Sequence, residues 1–214
     1  MPRAQRVSIA RVLRSVVATL FASALALGLL APVANAGILV GSATSCPEQA
    51  LERPFLRWAD PASYVLAPQG SLEETSAWSL SGASRVAGNE PYFVHDAGER
   101  YSLSLPAGSA ATTPTQCVGV EHPTLRFFAR NTGSMLSLLR VEVLVQDNLG
   151  LIKRVPIGAV TGTSAWAPTL PVTMLANLLA LPGSLTPVRF RFTPEGTGGA
   201  WQIDDVYVDP FRRG

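Results

Sequence analysis

The sequence is poor in the residues that carry most enzyme chemistry. Among its 214 residues are two histidines, two cysteines and, within 17 basic side chains, a single lysine, Lys153. Two cysteines and two distant histidines, His95 and His122, do not supply a zinc site. No G-x-S-x-G elbow, P-loop, H-E-x-x-H or dinucleotide fingerprint occurs, which excludes the motif-defined hydrolases, nucleotide binders and metalloproteases. His95 and Asp96 are adjacent, and neighbours in a strand point to opposite faces, so adjacency alone makes no catalytic dyad. His122-Pro123 reads as a loop entry. The chain also lacks heptads, internal repeats and low-complexity tracts. Its preference for arginine over lysine reads as compositional.

The one long apolar run lies at the N-terminus. Arg3, Arg6, Arg11 and Arg14 form a positive region without acidic residues; residues 15–33 are apolar, and Ala34-Asn35-Ala36 is a small-x-small cleavage site. This pattern predicts an export signal over 1–36, with cleavage favoured over retention as a membrane anchor. Removing it takes four arginines, leaving thirteen basic against fifteen acidic side chains. The mature chain is then slightly acidic, and a nucleic-acid or membrane-surface partner loses its main support. The remaining residues suit one domain with a sizeable core. Cys46 and Cys117 both fall in the exported part, where a disulfide is expected over free thiols. Its closed loop would contribute about 4 kcal/mol on the chain-entropy view.

Residues 37–60 read as an N-terminal arm. Pro54 disfavours a regular central strand there, and the aromatics Phe55 and Trp58 are expected to pin the arm to the domain. From residue 61 onward, short apolar alternations are separated by Gly, Pro, Ser and Asn, the pattern of an all-β sandwich or barrel. Leu103 and Leu105 alternate with serines. Leu125, Phe127 and Ala129 oppose Arg126, Phe128 and Arg130. Val141, Val143 and Val145 oppose Arg140, Glu142, Leu144 and Gln146, before a hairpin turn at residues 147–150. Val188, Phe190 and Phe192 oppose Arg189 and Arg191. Strict period two implies one buried and one solvated face. Short strands are also expected at 63–67 and 92–94. Residues 171–181 break the pattern and read as a strand followed by one helical turn within a buried connection.

The stretch GGAWQIDDVYVDP, residues 198–210, carries a phase conflict. Trp201 and Ile203 share one parity, Val206 and Val208 the other. If all four are core residues the strand must slip at Asp204-Asp205, and a β-bulge does that. Trp201-x-Ile203-Asp204-Asp205-Val206-x-Val208, together with Gly70-Ser71-Leu72-Glu73 and Trp78-Ser79-Leu80-Ser81-Gly82, resembles the jelly-roll carbohydrate-binding modules of the galactose-binding-like class. The resemblance implies a jelly-roll β-sandwich of two antiparallel sheets over 61–214, with first and last strands close together. It also implies a structural Ca²⁺ held by Glu73 and Asp204, with Asp205 as a further candidate ligand. Calcium accepts many backbone carbonyls, so two carboxylates suffice as side-chain anchors. Salt bridges or capping are the alternative use of these acids.

A glycan platform needs exposed aromatics. The outward strand positions carry arginines and Glu142, with Phe128 the one aromatic; Tyr92, Phe93 and Trp166 are the loop aromatics able to form a binding slot. Glu73 with Asp204 is also the residue pairing of a glycosidase, but the structural role is favoured. The reading that results is a secreted or envelope-associated, non-catalytic carbohydrate-binding-like module. Its alternative is an envelope-associated structural or protein-interaction sandwich without a sugar ligand.

Overall fold

A computed structural model describes residues 46, 49–119, 122–147, 149–174 and 185–209. The expected export signal lies outside the described residues, as do most of the arm before Gln49 and the helical turn expected after Val172–Thr173.

Alternation of apolar and polar residues over short runs produces strands almost throughout. In chain order they are β1 (Val65–Leu66), β2 (Ser79–Ser81), β3 (Ser84–Ala87), β4 (Tyr101–Leu105), β5 (Ala110–Thr112), β6 (Gln116–Val118) and β7 (Thr124–Asn131). They continue with β8 (Leu138–Gln146), β9 (Ile152–Val160), β10 (Ala167–Pro168), β11 (Val172–Thr173), β12 (Thr186–Glu195) and β13 (Trp201–Asp209). A single 3₁₀ turn, Leu56–Trp58, precedes them. One sheet runs β10-β7-β13-β4-β3, with β1 also on β13 and β11 also on β7. The second runs β2-β5-β12-β8-β9, with β6 also on β12. The ladders between these strands are antiparallel. The protein is therefore an all-β sandwich of the jelly-roll kind. Among the described residues no helix is long and apolar enough to cross a membrane.

The expected alternation is clearest in β12, where every second residue from Thr186 is buried. Val188, Phe190 and Phe192 point inward with Val141, Val143 and Val145 of β8, and meet Leu103, Leu125, Phe127, Trp201 and Ile203 from the other sheet. Phe192 packs edge-on to Phe127 at 5.1 Å between ring centroids and stacks on Trp78 at 6.2 Å. Each such side chain contributes about 1.5–3 kcal/mol by leaving water. The run from Trp78 to Val86 is not one strand. Gly82 adopts φ +69°, a left-handed conformation cheap only for glycine, and the chain there leaves the second sheet for the first.

Period two fails on the outer face of the seven-stranded sheet. Arg126 and Phe128, expected on a solvated face, are 6% and 0% exposed. The cause is the arm. Phe55 stacks on Phe128 at 5.6 Å and meets Tyr64 and Tyr207 edge-on at 4.9 and 5.7 Å, making a second core on the far side of that sheet. Arg126 survives burial because its guanidinium pairs with Asp60, donates from Nε to the Thr169 carbonyl at 3.0 Å and lies 4.0 Å over the Phe55 ring. Burial works against the Asp60 charge, but hydrogen bonds from Tyr64, Ala62 and Arg126 hold its carboxyl below the ordinary range. The Cys46–Cys117 disulfide closes a 71-residue span and ties the arm to β6, as the cysteine count implied.

Candidate functional site

The phase conflict in β13 resolves as expected. Asp204 pairs with Phe128 of β7, the next paired position is Tyr207, and the register shifts between them. Asp205 takes φ +46°, and Trp201, Ile203, Val206 and Val208 are all buried. The slip is clamped by the segment after β1: Ala67 N–H donates to the Val206 carbonyl at 2.8 Å, and Val206 N–H to the Gly70 carbonyl at 2.9 Å. Gly70 is required there, because a Cβ would sit 2.7 Å from the Val206 oxygen and 2.8 Å from that of Ala67.

The bulge delivers Asp204 and Asp205 into a site with no exposure to water. Asp204 is used locally, accepting from the backbone N–H of Glu90 at 2.9 Å and of Asp205 at 3.0 Å. Asp205 is not: both of its carboxylate oxygens are buried without a partner, and so is Oε1 of Glu99. Burial drives the Asp204 carboxyl up to about 8 against the two backbone N–H bonds it accepts, and the neighbouring Glu99 and Glu90 charges raise it further. Burial and then the Asp204, Glu99, Glu90 and Glu52 charges push Asp205 to about 9. Glu99 rises to about 7, chiefly through burial. The Glu90 carboxylate is also raised by burial, although it accepts from the N–H groups of Tyr92 at 2.5 Å and Val94 at 2.9 Å. That wrapping makes residues 92–94 a loop rather than the expected strand, because their N–H groups serve a side chain instead of a ladder.

Glu73 lies at the margin of this cluster. Its Oε1 accepts from the backbone N–H of Arg100 at 2.6 Å and of Tyr101 at 2.9 Å, and its charge raises Glu99. The acids that surround Asp205 are Asp204, Glu90, Glu99 and Glu52, the last three from loops and the arm. No local pattern in the sequence marks them; only the fold brings them together. As placed, no three acidic, histidine or cysteine side chains among the described residues converge as metal ligands. The donor chemistry still suits Ca²⁺, a hard cation that takes carboxylate and carbonyl oxygens. Unpaired buried carboxylate oxygens are costly, and a cation or a proton must answer them.

The loop aromatics are packing residues in this fold. Tyr92 meets Trp58 edge-on at 4.9 Å and donates its hydroxyl to the Trp166 carbonyl at 3.1 Å. The Arg57 guanidinium lies over both Trp58 and Tyr92, and that of Arg130 over Trp166. Phe93 is the exposed member of the three, in a left-handed conformation at φ +49°.

The outer face of the six-stranded sheet is different in kind. Registered pairing sets Thr112, Arg191, Glu142 and Pro156 in one row and Arg189, Leu144 and Arg154 in the next. Thr193, Arg140 and Ala159 form a third row. Arg140 pairs with Glu195 at 2.8 Å, and Arg191 reaches Glu142 at 3.8 Å. Glu142 and Leu144 are only 8% and 7% exposed despite facing outward, so flanking long side chains stand over the central strand. A separate cleft of about 460 Å³ between β9 and residues 168–173 has no charged or aromatic side chain in its wall.

No family model matches the sequence, and no curated protein is significantly similar to it. Solved structures with a similar arrangement of strands include the CBM22-1 xylan-binding domain of Paenibacillus barcinonensis Xyn10C, at TM-score 0.45 and 14% identity, covering 68% of this chain and 94% of that one. The TmCBM61 module, solved with β-1,4-galactotriose, matches at TM-score 0.38 and 17% identity over 68% of this chain and 97% of the other. The enzymatically active domain of bacteriophage CBA120 tailspike protein 4 matches at TM-score 0.43 and 18% identity over 67% of this chain. This chain spans only 21% of that tailspike chain. The likeness is one of β-sandwich architecture, and no ligand follows from it.

Proposed function

We propose that this protein is an exported, non-catalytic carbohydrate-binding-like module whose sandwich is braced by a calcium ion at the β13 bulge. The observation that carries the ligand side is the outer face of the six-stranded sheet. Ser79 and Ser81 of β2, Arg140 of β8 and Arg191 of β12 present hydroxyls and planar guanidinium groups there, in registered rows across four strands in which Thr112, Glu142 and the Thr193 hydroxyl lie deeper. Such groups match the hydroxyl-rich edges of sugar rings, with donors and acceptors in fixed positions. The carboxylates here do not open a hydrolytic cleft. Asp204 and Asp205 are sealed from water, and Glu142 and Glu195 are tied to arginines.

The calcium side rests on the unpartnered oxygens of Asp205 and Glu99. These two side chains would hold the ion, while Glu73 and Asp204 brace the surrounding backbone. The ion would supply positive charge that lets the acids stay ionised in a dry site.

One observation favours a second reading, an envelope-associated structural or protein-interaction sandwich: among the described residues the outer face has no aromatic side chain on which a sugar ring can stack. A glycan array separates the two. Retention of defined oligosaccharides supports the carbohydrate-binding reading; a blank array transfers it to the interaction module.

A further inference from the structure

The face that carries the sugar-binding reading has an excess of positive charge, and its location is specific. It holds four arginines, Arg140, Arg154, Arg189 and Arg191, against two carboxylates, Glu142 and Glu195. Both carboxylates are already engaged. Glu195 takes Arg140 at 2.8 Å, and Glu142 lies between Arg191 at 3.8 Å and Arg140 at 4.0 Å. Arg154 and Arg189 are left without a carboxylate among the described residues. They share one row, on either side of Leu144: Arg189 pairs with Leu144 across β12 and β8, and Leu144 with Arg154 across β8 and β9.

We propose that Arg154 and Arg189 read carboxylate groups on an acidic glycan, so that the module's ligand class is uronate-bearing polysaccharide. This rests on the carbohydrate-binding reading above and gives it a substrate class. Two strand spacings separate the arginine backbones, roughly 10 Å. That separation calls for two carboxylates on one extended chain laid across the strands rather than for a single small anion. The guanidinium fork matches a carboxylate in two parallel hydrogen bonds and stays charged at any physiological pH. Nucleic acid fits this face poorly: Glu142 and Glu195 oppose a phosphate backbone, and no aromatic among the described residues of this face is present for base stacking.

Affinity electrophoresis and calorimetry with polygalacturonate, its fully methyl-esterified form, a neutral β-1,4-galactan, dextran sulfate and duplex DNA test the assignment. The expected result is binding to polygalacturonate that esterification weakens at least tenfold. The R154Q/R189Q double variant should lose it, while R100Q, at an exposed arginine in the loop just before β4, keeps it. Unchanged melting temperatures establish that both variants fold. If galactan binds and polygalacturonate is no better than its ester, the acidic-ligand proposal falls and carbohydrate binding stands. If neither the galactan nor the galacturonans bind, both readings fall. Equal retention by dextran sulfate or DNA, or an unchanged R154Q/R189Q variant, overturns carboxylate reading in favour of diffuse charge.

Discussion

Raising the pH should destabilise the metal-free protein far more than the calcium-loaded one. Asp204 and Asp205 are wholly buried, and burial moves their carboxyls to about 8 and about 9 from 3.8. Between those limits the unfolded chain has released both protons while the folded, metal-free chain still holds them. The folded state binds more protons, so stability falls as pH rises, by up to about 3 kcal/mol per pH unit for two groups. The penalty is absent below the unfolded value, accumulates through neutrality and is complete above about 9. Glu99, at about 7, steepens the lower part of the fall. In a domain of this size each kcal/mol moves Tm by about 2–4 °C, so in EDTA the midpoint should drop on the order of 10 °C between about pH 5 and 7. Calcium bound to the ionised acids removes the extra protons from the folded state, so the gap between the EDTA and Ca²⁺ curves should widen with pH. Thermal unfolding followed by tryptophan fluorescence across this range measures both curves. D205N should flatten the EDTA curve and abolish the calcium response. Coincident curves at every pH would refute the calcium site, and an EDTA curve flat through neutrality would refute the uncompensated burial itself.

Three further outcomes follow from single features. Reducing the Cys46–Cys117 disulfide should cost up to about 4 kcal/mol in urea unfolding, and an unchanged midpoint would show that the arm does not depend on it. Gly70→Ala forces a Cβ against two backbone carbonyls beside the bulge; it should lose about 1–3 kcal/mol in urea unfolding, and an unchanged midpoint would show that the close approach is not required. Phe55→Ala removes the centre of the second aromatic core and should cost about 3–5 kcal/mol. It should also speed proteolysis within residues 49–60, which a gel time course reads directly.

How much of this was legible depended on whether a feature is local. Strand β12 could be read residue by residue, because its two faces differ at every position. The bulge was legible as well: two pairs of core residues of opposite parity on one strand leave no other geometry. Strand β7 misled, because the sequence of a strand does not say what another segment lays over it; the arm turned Arg126 and Phe128 from solvated positions into buried ones. The two-residue strands β10 and β11 are too short to show a period at all.

The acidic site shows the same limit at the level of chemistry. Parity located Asp204 and Asp205, and resemblance supplied Glu73, but the acids facing Asp205 come from separate loops and from the arm. Glu90, between Asn89 and Pro91, sits in a stretch whose composition marks only a turn, yet its carboxylate organises the loop that follows. A bulge puts two neighbouring side chains on the same side of a strand, and here both happen to be acids. One is satisfied by the backbone that the bulge frees; the second, Asp205, has no partner among the described residues. That asymmetry assigns the pair different tasks: Asp204 fixes the shape of the slip, and Asp205 is the group through which a cation, or a proton in its absence, governs how firmly the last strand is held.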